Sequence, residues 1–383
     1  MLDMDKNMAA FVVTLWILGF LSFAGGVLPI ISWVKIGRQY KKTSLNPYFP
    51  RVSIIVPCKG AGKKFKGNIR AICNQNYKDY EVIFVTDSLS DPAYKAIQEA
   101  VGKDPRVKLV LSDRVEGCSG KVSALLKGVK IADDADVYVF ADSDIRPHKE
   151  WIRHLVAPLN IEKIGATTGY RWYFAHSLRS LLLSSWNACT AASLFIDKFN
   201  FVWGGSTAIR KELFDRLDIK NKWKKSFSDD LVLSRIVKEN GYSIQFVPES
   251  MVECYEEKNL YEIINWGTTQ NVWTKWYYPK LWRISFLSAV VFKFLNILGI
   301  IVLIDGFVIP GLLMLSPVFL DIIKGWQQFV TFRELMLYPK KRFGSALAYA
   351  IISPIASFLL AYNLVASFFK REIEWKGNVY RFG

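Results

Sequence analysis

Two aspartates one residue apart, Asp142 and Asp144, have types and spacing that suggest chemistry. They follow the apolar run VYVFA, whose composition predicts a strand buried on both faces. Side chains at i and i+2 share a face, so the two carboxylates point in similar directions. Two close negative charges are costly unless a cation lies beside them, so the pair could be a metal site. Taken alone, the pair fits a strand-to-helix turn better, because Asp and Ser are common turn residues, and the rest of the chain must decide.

A third aspartate, Asp87, ends a second apolar run, YEVIFVTDS at 80–88. If both runs are parallel strands, their carboxyl ends meet at the sheet edge where ligands bind. There Asp142 and Asp144 can hold Mg²⁺ or Mn²⁺, hard cations that prefer oxygen ligands and bridge to diphosphate oxygens. Asp87 can accept hydrogen bonds from a ribose or a base, and a simple turn residue is the alternative.

The segment SFSDDLVLSRIVKENGYSIQFVPES (226–250) predicts a helix that begins after Ser228 and ends near Gly241. Its first turn carries Asp229 and Asp230, and acidic residues suit the positive end of a helix. We assign Asp229 to this helix-capping role. We expect Asp230 to face the cleft.

Strand-like and helix-like segments alternate between about residues 50 and 260. This alternation predicts an α/β domain with a Rossmann-like, mostly parallel sheet and helices on both faces. We place the domain at residues 43–261. Its strands, as predicted from composition, are VSIIVPC, YEVIFVT, VKLVLS and VYVFA.

The apolar residues outside this domain predict membrane helices. No charged residue occurs from Ala9 to Val34, which is long enough to cross a bilayer. Lys35, Arg38, Lys41 and Lys42 follow directly, so residues 1–42 are predicted to anchor the chain with the α/β domain on the cytoplasmic side, in the cell membrane if the source is bacterial.

A second apolar zone occupies residues 284–383, with segments at 284–304, 307–323 and 345–369. The second segment looks too short to span fully, and a basic loop from Lys324 to Arg342 is expected to be cytoplasmic. A fourth full span would place the basic tail outside, whereas its charge favours the inside. The side of the tail stays open.

The net charge of +16 does not indicate nucleic-acid binding, because the basic residues crowd at membrane borders and no nucleic-acid motif is present. Attraction to anionic lipid head groups accounts for the same charge. The five cysteines have no metal-ligand spacing and no disulfide pattern, so reduced thiols are expected.

Residues 262–283 are dense in aromatic side chains, and Trp266, Trp273 and Trp276 share one face of a predicted helix. Such a segment next to a membrane span favours the head-group layer. It would hold the cleft at the bilayer surface, within reach of a lipid. An amphipathic connector packed under the domain is the alternative.

The ordered motifs VPCKG, VTDS, GK, DSD, GGSTAIRKELF (204–214) and SDD resemble the GT-A glycosyltransferases of family 2. The longer stretches GGSTAIRKELFDRL, SDDLVLSRIVKENGY, WTK (273–275) and IEWKGNVYR resemble family 21, the ceramide glucosyltransferases and their bacterial relatives. This resemblance spans nearly the whole chain, including an N-terminal transmembrane helix and a C-terminal block of membrane helices.

The resemblance implies that Asp87 contacts the uridine of a UDP-sugar and that Asp142 and Asp144 position its diphosphate and a metal ion. It implies that Asp230 is the general base. Lys121 could face the nucleotide, although a solvated lysine is equally compatible with its position.

One departure from the family pattern concerns the motif Q/R-x-x-R-W, of which only Trp273 is kept. Gln270 or Lys275 could substitute for the missing arginine. Trp273, Trp276 and Gln270 are the residues that we expect at the acceptor or membrane interface.

The expected activity is inverting transfer of a hexose, preferably glucose, from a UDP-sugar to a ceramide-type hydroxyl. One base suffices, because the metal takes up the charge of the leaving diphosphate. Diacylglycerol, polyprenyl phosphate or a growing polysaccharide are alternative acceptors. A non-catalytic membrane scaffold is the alternative outside the enzymes.

Overall fold

The computed structural model describes residues 2–40, 48–132, 134–255, 257–375 and 378–381. Lys41 and Lys42 lie outside these residues, and so does the predicted domain boundary after residue 42. The helix α1 (Leu2–Gln39) precedes the α/β domain. That domain contains, in chain order, β1 (Val52–Cys58), α2 (Phe65–Cys73), β2 (Tyr80–Thr86), α3 (Pro92–Val101), β3 (Val107–Leu111), α4 (Gly120–Ile131), β4 (Val137–Ala141), β5 (Ile145–Arg146), α5 (Trp151–Val156), β6 (Ile164–Thr168), β7 (Arg171–Trp172), α6 (Leu178–Ala191), β8 (Ser206–Arg210), α7 (Lys211–Arg216), α8 (Ile219–Trp223), α9 (Asp229–Glu239), β9 (Ser243–Phe246) and β10 (Val252–Cys254).

The main sheet has seven strands in the order β3-β2-β1-β4-β8-β6-β9. The pairs β3–β2, β2–β1, β1–β4 and β6–β9 are parallel, whereas β8 is antiparallel to both of its neighbours. In β1, Ile54 and Val56 join the core on one face and Ile55 joins the core on the other. Burial on both faces explains why the strands are continuous apolar runs. The predicted α/β architecture is confirmed.

A small second sheet, in the order β5-β10-β7, lies next to the end of β4. The strand β5 follows Asp144 directly, and β10 pairs with it in antiparallel orientation. On its other side β10 pairs in parallel with β7, the strand that carries Arg171. This sheet therefore brings Arg171 to the edge where the aspartates lie.

Four further helices and a hairpin complete the described chain: α10 (Leu260–Tyr277), α11 (Pro279–Ile304), α12 (Val308–Leu335), α13 (Ala346–Phe369), β11 (Glu372–Trp375) and β12 (Asn378–Arg381). Within the described ranges, α1, α11, α12 and α13 are long and apolar enough to cross a membrane. The predicted segment 262–283 comprises most of α10 and the start of α11, which are separated at Pro279, a residue that favours a first helical turn.

The helix α12 is longer than the sequence suggested, with 28 residues and Pro317 inside it. The expected loop from Lys324 is wrong, because Lys324 lies within the helix and forms a salt bridge with Asp321 one turn earlier. The sequence predicted a shorter helix because proline removes a backbone hydrogen bond, but neighbouring helices can compensate for that loss.

The helices α1, α11 and α12 pack together and extend away from the α/β domain. At the far end, the ring of Phe11 lies 5.9 Å from that of Phe307, in the turn between α11 and α12. At the near end, Phe332 of α12 contacts Trp33 of α1 at 5.3 Å and Trp172 of the α/β domain at 5.0 Å. The N-terminal end of α1 and the α11–α12 turn therefore share the far end.

The helix α13 has a different course, because both of its ends touch the near side. Near its start, the Tyr349 hydroxyl donates to the carbonyl of Ser184 at 3.2 Å. At its end, Ser367 accepts from the indole N–H of Trp282 at 2.9 Å, and the ammonium of Lys275 donates to the Ser367 carbonyl at 2.8 Å. An added Cβ on Gly267 of α10 would lie 2.5 Å from Asn363, so α10 and α13 approach closely in between.

The tail after α13 folds back over the α/β domain. The hairpin β11–β12 places the ring of Tyr380 5.2 Å from Phe227 and 5.7 Å from Trp273. The open question about the tail is thereby answered in relative terms: it lies on the same side as the α/β domain. The hydropathy of α13 suggested a span, but its contacts return the chain to the side from which it came.

Candidate active site

The strand ends gather the three predicted aspartates around one cavity of about 700 Å³. Asp142 and Asp144 follow the last residue of β4, and Asp87 follows the last residue of β2. The strand β1 lies between these two and is parallel to both, so their carboxyl ends point to the same edge. Asp87 forms a salt bridge with Lys59 at 3.7 Å.

Lys121 lies in the first turn of α4, where the hydroxyl of Ser119 accepts from the backbone N–H of Val122. Its ammonium lies 2.8 Å from Oδ1 of Asp142 and 3.2 Å from Oδ2 of Asp229. Lys121 is therefore more than a solvated lysine, and its contact with the nucleotide stays a prediction. The lysine joins two carboxylates that come from different elements.

The start of α9 carries Asp229 and Asp230, and both line the cavity. Ser228 is the N-cap, and its hydroxyl donates to Oδ1 of Asp230 at 2.7 Å. The same carboxylate accepts from the backbone N–H of Leu231 at 2.8 Å and of Gly204 at 3.1 Å. Three donors therefore fix the orientation of Asp230 and stabilise its negative charge.

The prediction that Asp229 caps the helix is wrong. Its side chain is buried and reaches Lys121, whereas Asp230 accepts the hydrogen bonds at the helix start. A Cβ added to Gly204 would lie 2.4 Å from Oδ2 of Asp229 and 2.8 Å from Nζ of Lys121. A glycine at this position therefore allows the backbone to approach the ion pair.

Burial controls the electrostatics of this pair. Burial raises the pKa of Asp229 to about 6, in opposition to Lys121 and with support from Asp230. Burial also disfavours the charge on Lys121, but the carboxylates of Asp142 and Asp229 outweigh it and hold the lysine pKa above its usual value. The lysine is therefore charged at neutral pH, beside carboxylates that stabilise its charge.

The aspartates and Lys121 make up the charged end of the cavity: Asp87, Lys121, Asp142, Asp144, Asp229 and Asp230. The cavity continues from there into a region that we call the apolar arm, lined by side chains from α6, α11 and α13: Trp186, Cys189, Leu281, Trp282, Leu360 and Leu364. The arm thus leads from the carboxylates into the helices of the membrane block.

The helix α10 contributes to the lining of the same cavity. Gln270 and Trp273 line the cavity, as expected for an acceptor site. Trp276 is not among the described residues that line it; it packs instead against the cluster of Val272, Ile373 and Tyr380. Trp276 therefore supports the hairpin rather than the cavity.

Several lining residues were not predicted from the sequence. They are Arg171, Trp186, Trp203, Asp229 as a cavity residue, and Tyr380. Arg171 is the only cation in the run GYRWYF, a pattern that matches no motif. Only the pairing of β7 with β10 brings it into the cavity.

The carboxylate oxygens at the charged end suit a hard divalent cation that takes its remaining ligands from a bound substrate. Asp142 and Asp144 offer carboxylate oxygens, which Mg²⁺ and Mn²⁺ prefer. No group of three or more His, Cys, Asp or Glu side chains with metal-binding geometry occurs among the described residues. A cation here would need further oxygens, such as those of a diphosphate.

The sequence model of glycosyl transferase family 21 matches residues 14–383. The chain belongs to this family. This family 21 protein is similar to the probable glycosyltransferase YdaM of Bacillus subtilis, with 27% identity over 258 residues, 64% of this chain and 57% of YdaM. It is also similar to ceramide glucosyltransferase 1 of Caenorhabditis elegans, with 25% identity over 105 residues, 27% of this chain and 22% of the nematode protein.

Among solved structures, the mannosyltransferase PcManGT of Pyrobaculum calidifontis, in complex with GDP-Man and Mn²⁺, superposes with a TM-score of 0.53 and 17% identity. The superposition covers 94% of this chain and 99% of PcManGT. The predicted GT-A fold and the predicted family are confirmed. The chain therefore belongs to a glycosyltransferase family, has a GT-A domain and spans less than two thirds of these curated relatives, and its described residues include four candidate membrane helices.

Proposed function

We propose that this family 21 glycosyltransferase transfers a hexose, preferably glucose, from a UDP-sugar to the hydroxyl of a lipid, with a ceramide-type acceptor favoured. One observation carries the proposal: a single cavity joins the charged end to the apolar arm. A water-soluble acceptor would not require walls formed by Leu281, Trp282, Leu360 and Leu364, which belong to the membrane block. The similarity to a ceramide glucosyltransferase supports the same class of acceptor.

The charged end would bind the donor. Asp87 would accept hydrogen bonds from the uridine, and Asp142 and Asp144 would hold Mg²⁺ or Mn²⁺ against its diphosphate. When bound, the metal would take up the negative charge that develops on the leaving diphosphate. The salt bridge between Lys121 and Asp142 keeps a second positive charge at this place. PcManGT, which shares the fold, was solved with a nucleotide sugar and Mn²⁺.

Asp230 would act as the general base. Its carboxylate lines the cavity and is oriented by the Ser228 hydroxyl and by the backbone N–H groups of Leu231 and Gly204. From this fixed position it would accept the proton of the acceptor hydroxyl as the oxygen attacks the sugar. Attack from the face opposite the leaving diphosphate inverts the anomeric carbon, so an α-linked donor would give a β-glycoside.

The cavity would lie at the bilayer surface. The helices α10 and α13 connect the α/β domain to the membrane block, and basic residues lie at the near end of the bundle: Lys35, Arg38, Lys340, Lys341 and Arg342. Because such residues accumulate on the cytoplasmic side, we place the α/β domain there, in the cell membrane if the source is bacterial.

The deciding experiment is a transfer assay with the full chain in lipid nanodiscs. UDP-glucose, UDP-galactose and GDP-mannose are each supplied with ceramide or diacylglycerol, with Mn²⁺ or with EDTA, and glycolipids are resolved by mass spectrometry. We expect transfer from UDP-glucose to ceramide that requires the metal. A protein that transfers from none of these donors to either lipid, or only to soluble sugars, would refute the proposal.

A further inference from the structure

Arg171 is a cation fixed in the wall of the cavity. Its Nε donates to Oδ1 of Asn187 at 3.0 Å, and its Nη2 donates to Oε1 of Gln270 at 3.2 Å. The guanidinium also lies over the ring of Trp266, 4.6 Å from its centre. Arg171 and Gln270 both line the cavity.

The groups that hold this arginine are themselves fixed. Asn187 is fully buried and donates back to the carbonyl of Arg171 at 2.9 Å. Trp266 packs on Trp186 at 4.9 Å, and the indole N–H of Trp186 donates to Asn363 of α13 at 3.0 Å. Three helices therefore determine where the guanidinium points, so little conformational entropy remains to be lost when it binds a ligand.

The position of Arg171 lies between the two regions of the cavity. Its guanidinium is 5.6 Å from the ring of Trp203, and the next residue, Gly204, donates to Asp230. On the other side, Asn187 and Gln270 belong to α6 and α10, the helices that lead toward the apolar arm. Arg171 therefore has contacts toward both regions of the cavity.

We propose that Arg171 binds a phosphate group in this cavity and supplies the cation that the chain lacks at Val272. The family motif has an arginine at the position of Val272, which here is fully buried against the tail hairpin. A planar guanidinium that stacks on an aromatic ring suits phosphate better than an ammonium group does. Gln270 thus does not replace the arginine of the motif but orients another one.

Lys275 does not fill this role. Its ammonium donates to the carbonyls of Ser367, Phe368 and Lys370 at 2.8, 3.0 and 2.9 Å, at the end of α13. Cations are favoured at helix C-termini, so Lys275 is explained by the capping of α13.

The inference rests on the proposed function, and the phosphate has two chemical sources: the diphosphate of the donor or a phosphate in the lipid head group. The first arm of the test measures the affinity of the full chain for UDP and for UMP with Mn²⁺. If Arg171 binds the β-phosphate, Arg171→Gln weakens UDP binding roughly ten- to hundredfold and leaves UMP binding unchanged.

The second arm compares phosphatidylglycerol with diacylglycerol of the same acyl chains, because both carry hydroxyls and only the first carries a phosphate. If Arg171 binds the head group, Arg171→Gln lowers transfer to phosphatidylglycerol roughly tenfold relative to diacylglycerol. Either selective loss supports the proposal and identifies the source of the phosphate.

Two further variants separate binding from folding. Gln270→Glu leaves Arg171 in place but offers it a carboxylate, which should compete with phosphate and reproduce the selective loss. Arg216→Gln is the matched control, because Arg216 also lies over an aromatic ring, that of Tyr242, but belongs to the exposed surface. This control should change neither the ratio of UDP to UMP affinity nor the ratio of transfer to the two lipids.

The two proposals fail in different ways. If the unaltered protein neither binds UDP with Mn²⁺ nor glycosylates any lipid, the proposed function is refuted. The other case is an unaltered protein that binds UDP with Mn²⁺ and glycosylates a lipid. If Arg171→Gln and Gln270→Glu then keep the ratio of UDP to UMP affinity and the ratio of transfer to the two lipids within about twofold, the role of Arg171 is refuted.

Discussion

At the charged end of the cavity, each acidic side chain follows a strand or begins a helix. In the apolar arm, by contrast, the walls come from helices far apart in the chain, such as α6 and α13. Asp230 is held by its own helix start and by Gly204, whereas Leu360 is placed only by the packing of α13.

This difference suggests a division of labour. Local backbone geometry fixes the groups that act on the donor, so they can stay constant while the arm changes. The arm depends on how helices pack, and small changes in its side chains can alter which acceptor enters. If this view is right, substitutions at the two ends should affect different steps.

The sharpest test at the charged end is Asp230→Asn. We expect transfer to fall by roughly two to four orders of magnitude, because a positioned base contributes that much, while UDP binding with metal is kept. Transfer rate and UDP affinity are measured on the same preparation. Normal transfer by this variant would place the base elsewhere.

Asp144→Ala tests donor binding at the same end. Removal of one hard oxygen ligand should weaken metal-dependent UDP binding at least about tenfold, since even the loss of outer groups around a metal costs that much. Calorimetric titration of UDP with Mn²⁺ and with EDTA gives the difference. If the natural protein and Asp144→Ala bind UDP with equal affinity in Mn²⁺, Asp142 and Asp144 form only a turn.

In the apolar arm, Leu360→Trp should reduce transfer to ceramide roughly tenfold, because overfilling an apolar site costs about 1–3 kcal/mol. UDP binding and slow hydrolysis of the donor should be unchanged. Ile355→Trp is the matched control, since Ile355 lies on the same helix but is exposed. A parallel loss of UDP binding in Leu360→Trp would abolish the proposed separation of the two regions.

The smallest expected effect concerns Asp229, whose pKa burial raises to about 6. An acid with a higher pKa in the folded chain than in the unfolded chain destabilises the fold once it ionises, so stability falls as the pH rises from about 4 to above 6. The change is at most about 3 kcal/mol.

Thermal unfolding in EDTA at about pH 4.5 and about pH 7.5 measures this effect. The stability of the natural protein relative to Asp229→Asn should fall between the two conditions, because this difference removes the contribution of groups that titrate in both proteins, such as His148. The same pH response in both proteins would show that the carboxylate beside Lys121 is already ionised at the lower pH.

The sequence indicated the charged end well, because strand ends and helix starts are local features. Asp87, Asp142, Asp144 and Asp230 were all placed near the cavity for this reason. The assignment of Asp229 to helix capping was wrong, because its side chain contacts Lys121, a residue distant in sequence. Adjacent residues at a helix start look alike until their partners are known.

The course of α13 could not be predicted from hydropathy, because a buried helix and a spanning helix of this length have similar compositions. A finer signal was present in its spacing. Ser353, Asn363 and Ser367 lie on one face and bond to Ser185, Trp186 and Trp282 on the near side. Polar residues that recur along one side of an apolar helix indicate packing against protein rather than lipid.

That course of α13 decides which face of the bilayer would receive a glycolipid. Both ends of the helix and the tail lie with the α/β domain, so under the proposed function the lipid would enter from the leaflet nearest that domain. A sugar head group does not cross the hydrocarbon core readily, because its hydroxyls would lose their hydrogen bonds to water. The product would therefore accumulate in one leaflet, and its appearance in the other would depend on a separate lipid-translocating activity.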